Sequence, residues 1–68
     1  MLSLSASISN EISSLINLTN WLIDQASMKG EVKQVGRLQR ILAMLYAKNI
    51  NISEIKKLLN GIRHELRV

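Results

Sequence analysis

The side chains able to do acid–base or metal chemistry are few and scattered: one histidine, His64, and five carboxylates, Glu11, Asp24, Glu31, Glu54 and Glu65, in a chain without cysteine. General acid–base catalysis needs a titrating group, a partner within hydrogen-bond reach and a cleft around both, and a metal centre needs several converging ligands. His64 stands between Arg63 and Glu65 near the end of a predicted helix, on its solvent side, and the carboxylates have helix-end roles available to them. Phosphate-cradling glycine loops, nucleophile elbows and paired-histidine patterns do not occur in the sequence. The expectation is a protein that is not an enzyme and holds no cofactor or metal.

A second kind of chemistry, recognition of phosphate, has better material. Lys33, Arg37, Arg40 and Lys48 recur along one side of a predicted helix, with Met44 completing the row, and Lys56, Asn60, Arg63 and Arg67 follow on the next helix at 4-3-4 spacing. Such rows can track phosphates with salt-sensitive, sequence-tolerant affinity. They are also what an ordinary solvated helix face looks like, and no aromatic row accompanies them to stack bases. A small nucleic-acid-binding transcriptional regulator using Lys33, Arg37, Arg40, Lys56, Arg63 and Arg67 therefore stands as the alternative function.

Charge is distributed unevenly along the 68 residues, whose formal net charge is +4. All nine Lys and Arg follow Met28, while the first 28 residues carry only Glu11 and Asp24. Segments of opposite sign can attract one another and bias how helices pair.

The elements that must position these groups are helical. Apolar or semi-apolar residues at Ile8, Ile12, Leu15, Thr19, Leu22 and Ala26 keep a 4-3-4-3-4 rhythm, which predicts a long amphipathic helix over about 8–28 with Ser5, Ser7 or Ser9 as N-cap. Gly30 can take positive φ and end it, so the first turn falls at Met28 to Glu31. A second helix is expected over about 32–48, with Gly36 as a close-packing notch. Asn51 with Glu54 three residues on forms a capping signature, with Ile50 placed to staple onto Ile55. It starts a third helix over about 52–67 whose buried face is Ile52, Ile55, Leu58, Leu59, Ile62 and Leu66. The expected architecture is a single all-α domain, a three-helix up-down-up bundle or a helical hairpin plus third helix, in oligomeric form.

The expectation of an oligomer comes from the second helix. Val35, Leu38, Leu42, Ala43, Tyr46 and Ile50 make its inward face, yet Ile41, Met44 and Leu45 point elsewhere on a 3.6-residue period. A chain this short buries only about 60% of its unfolded surface. Without disulfides, association is the common remaining route to stability. The principal expectation is thus a small protein–protein interaction module, an adaptor, chaperone-like partner or regulator, that pairs with itself or with another helical protein through Trp21, Leu38, Ile41, Leu45 and Tyr46. The longest apolar run, Ile41 to Ala47, is too short to span a bilayer, and Met1 to Ser7 lacks the pattern of a secretion signal, so a cytoplasmic protein is expected.

Overall fold

The computed structural model describes residues 2–47 and 51–68, with side chains placed for 10–47 and 51–68. It contains three helices, α1 (Leu2–Met28), α2 (Val32–Tyr46) and α3 (Ile52–Leu66). At a rise of about 1.5 Å per residue α1 is roughly 40 Å long and each of the others roughly 22 Å. The overall extents of 44 × 20 × 17 Å are therefore set by α1, the platform on which the shorter helices lie.

α1 begins well before the expected position, and Ser5, Ser7 and Ser9 lie inside it rather than capping it. No Gly or Pro interrupts residues 2–28, and serine costs a helix interior only about half a kcal/mol, so nothing in that stretch ends the helix. Its other end closes as Gly30 demands. Gly30 has φ 72, its N–H donates to the Ser27 carbonyl at 3.1 Å, and the Glu31 N–H donates to the Ala26 carbonyl at 2.9 Å. This is the paired 5→2 and 6→1 closure of a Schellman turn, which satisfies carbonyls that the helix end would leave orphaned. No atom lies within 4 Å of where a Gly30 Cβ would sit, so a side chain there meets conformational strain alone. Gly30→Ala is expected to lower unfolding free energy by about 1 kcal/mol, read from the urea midpoint, with helical circular dichroism unchanged.

The same closure ends α3 without a glycine. Arg67 takes φ 60 and ψ 44, its N–H donates to the His64 carbonyl at 3.2 Å, and the Val68 N–H donates to the Arg63 carbonyl at 3.3 Å. Val68 then packs against the core, the hydrophobic contact that often accompanies this motif. Arg67, at the expected end of the helix, carries this turn. Relieving the left-handed strain by Arg67→Gly should raise unfolding free energy by up to about 1 kcal/mol, seen as a higher thermal midpoint. At the start of α3 the Asn51 Oδ1 accepts from the Glu54 N–H at 3.3 Å, as the sequence signature requires. The Ile50 staple lies outside the described residues.

The core takes Leu15, Leu22 and Ala26 from α1, Leu38, Ile41 and Leu45 from α2, and Ile55, Leu59, Ile62 and Leu66 from α3. Thr19, fully buried on the same α1 stripe, donates its hydroxyl to the Leu15 carbonyl at 2.6 Å and so brings no unpaired donor inside. From Leu15 to Ala26 the α1 stripe keeps the expected spacing, Ile12 is partly buried, and the side chain of Ile8 lies outside the described residues. The α2 stripe does not keep its expected spacing. Its buried residues are Gln34, Leu38, Ile41 and Leu45, with Val35 and Leu42 at the margin, whereas Ala43 and Tyr46 face solvent. The inward face is rotated from the expected one, towards Ile41 and Leu45, and Ile50 of the expected face lies outside the described residues. Gly36 is no notch either: nothing lies within 4 Å of its missing Cβ.

Two polar links tie the helices. Glu11 on α1 pairs with Lys56 on α3, joining the acidic first segment to the basic third one. Glu65 near the end of α3 accepts from Gln34 Nε2 at 3.0 Å and from Arg37 Nη1 at 3.3 Å near the start of α2. Both ion pairs are half exposed, which limits each to at most about 1 kcal/mol.

Candidate functional site

α1 makes its most extensive contact with α2, and α2 and α3 touch each other least. The two short helices therefore lean on α1 and part on the side away from it. Between them runs an open groove of about 420 Å³, with Arg37, Arg40, Ile41 and Met44 on the α2 wall and Lys57, Leu58, Gly61, Ile62 and Glu65 on the α3 wall. Its floor is the outer edge of the core, where Ile41 and Ile62 are almost wholly buried. Met44 and Leu58 rise from it with 40% and 44% of their surface still exposed. Arg40 and Lys57 supply charge at the rim, and Arg37 is drawn to Glu65 across one end.

The lining thus sets an apolar floor beneath a mostly cationic rim. It offers burial to a partner's hydrophobic side chains and pairing to its acids. Among the described residues no three His, Asp or Glu gather as a metal site. Glu65 opens onto the groove while its neighbour His64 borders a separate depression with Asn60, Arg63 and Val68, so sequence adjacency does not bring these two together in one cleft.

The residues expected to form a protein interface divide sharply. Leu38, Ile41 and Leu45 are at most 4% exposed, closed in by the chain's own helices, and have almost no area left to give a partner. Ile41 and Leu45 are thus taken into the chain's own core, whereas Met44 stays 40% exposed. Trp21 and Tyr46 are exposed by 45% and 64%, but neither borders the groove. Met44 and Leu58 do, and neither was among the expected contacts. Met44 already stood apart from the expected face. Leu58 was assigned to a buried face of α3 that is one residue too wide for a single stripe.

The cationic residues also part company. Arg37 and Arg40 belong to the groove; Lys56 is turned to Glu11 of α1; Arg63 borders the His64 depression; Lys33 and Arg67 are exposed outside both linings. The six do not join into one surface, and Lys57, which none of the rows contained, is the α3 cation that faces Arg40 across the opening. Compared with known proteins, the chain matches no family model, no curated protein and no solved structure. Among the described residues no helix is long and apolar enough to cross a membrane.

Proposed function

We propose that this chain is a small helical protein–protein interaction module of the adaptor or regulator kind, without catalytic activity, that docks a partner on the open face between α2 and α3. The observation that carries the reading is the pair Met44 and Leu58, two large apolar side chains half exposed on an apolar floor, at a seam that α2 and α3 leave open. Grouped exposed hydrophobes of this kind mark interaction sites far more often than isolated ones do. In this reading the helices run up-down-up. Support comes from the short Gly30 turn and from polar links that put Glu11, in the first half of α1, beside Lys56 in the first half of α3, and the start of α2 beside the end of α3. The partner is met in the cytoplasm.

The nucleic-acid reading has less support, since its six cations are dispersed over different flanks and two of them are already paired, Lys56 with Glu11 and Arg37 with Glu65. The docking reading is tested by placing a photo-crosslinking amino acid at Leu58 in the living cell, with the same group at exposed Asn20 on α1 as control. A discrete adduct formed from position 58 and missing from position 20 is the expected result. Equal labelling at both positions, or none at either, would overturn the proposal. The adduct's mass separates a second copy of the chain from a different protein.

A further inference from the structure

We infer that the occupant of the α2/α3 groove is an acidic amphipathic helix of a different protein, an assignment that rests on the docking reading above and adds the partner's chemistry to it. Charge complementarity is the deciding argument. Arg40 and Lys57 face the opening from opposite walls, whereas the carboxylate on the lining, Glu65, is already engaged by Arg37 and Gln34. A second copy laid groove to groove would set these cations against their own counterparts, and like charges across an interface disfavour the pairing. A partner with Asp or Glu beside its apolar stripe answers both.

Dimensions argue for a helix. Arg37 to Met44 on one wall and Lys57 to Glu65 on the other advance about 11–12 Å along their axes, two turns of a docking helix. Apolar anchors at i, i+3 or i+4 and i+7 then meet the floor. Gly61 contributes no side chain, and nothing occupies the space where its Cβ would be, so a partner backbone can come close at mid-groove. Met44 is flexible enough to fill whatever gap the incoming side chains leave. The groove is open along its length rather than enclosed, which suits a rod that slides in from the side.

The test uses the whole chain and two labelled peptides of about 15 residues that share one leucine stripe, flanked by Glu in the first and by Lys in the second. Fluorescence anisotropy should register the acidic peptide binding the unmodified protein and weakening with added salt, and the basic peptide binding about tenfold less well or worse. Combining Arg40→Glu with Lys57→Glu, both exposed and tolerable to the fold, should reverse that preference. Leu58→Asp should abolish both peptides while helical content stays constant. Equal binding of the two peptides, insensitive to the charge reversals but lost in Leu58→Asp, overturns the acidic partner and keeps the docking site. Binding of neither peptide overturns the acidic partner. Sedimentation as a dimer that Leu58→Asp dissolves also overturns it, in favour of a second copy, and leaves docking intact.

Discussion

Leu45→Lys should leave the chain unfolded at every concentration at which its circular dichroism can be recorded. Leu45 is 2% exposed in the core to which all three helices contribute, so the substitution forces an ammonium into apolar surroundings or opens the core to reach water. An unpaired buried charge costs several kcal/mol even after the surroundings relax, and a bundle this small holds only about 3–5 kcal/mol in total. The penalty is as large as the whole stability. The same change at Met44, one residue earlier, should leave a folded protein, because 40% of that side chain already lies in solvent. A folded, monomeric Leu45→Lys protein would mean that Leu45 belongs to an intermolecular surface after all, and would return it to the list of contacts that the second helix first suggested.

The second large effect belongs to the neighbouring pair Trp21 and Leu22. Leu22 is completely buried on the central stripe of α1, whereas Trp21, the only tryptophan, is exposed over 45% of its surface. Truncating Leu22 to Ala removes apolar contact and leaves a cavity that close-packed helices fill poorly, at a cost of about 2–5 kcal/mol. Trp21→Ala should cost about 1 kcal/mol or less, since much of the ring is already in water. Urea unfolding of the two variants should therefore give widely separated midpoints, with Leu22→Ala close to unfolded in plain buffer. Near-equal midpoints would place Trp21 inside the core, against its observed exposure.

The buried stripe of α1, the Gly30 turn and the Asn51 cap were legible because local physics decides them. A 4-3-4 stripe leaves one way to bury Leu15, Thr19, Leu22 and Ala26, Gly30 tolerates the left-handed turn, and Asn51 caps the next helix whatever else the chain does. The face of α2 was not legible in the same way. With apolar residues all round, its sequence permits several inward orientations, and which is adopted depends on where α1 and α3 lie, a tertiary fact with no local signature. Ile41 and Leu45 passed from expected contacts to core for that reason. The groove was hidden by the same circumstance. Met44 and Leu58 become neighbours across a gap only once α2 and α3 settle on α1 without closing on each other, and Lys57 joins Arg40 only then. Serine-rich sequence at the start of α1 misled in the opposite sense, since good capping residues there turned out to be tolerated helix interior.

The uneven grip of α1 on its two companions has a dynamic consequence. α1 and α2 are neighbours in sequence, joined by a hydrogen-bonded turn and extensively packed, whereas α3 is held by one stripe and two half-exposed ion pairs. Cooperative units of lower local stability open first, so amide protons of α3 should exchange with deuterium through a partial detachment that spares the α1–α2 pair. A docked guest that bridges Met44 and Leu58 would clamp the two arms together, and the slowing of that exchange would report occupancy from protons that never touch the guest.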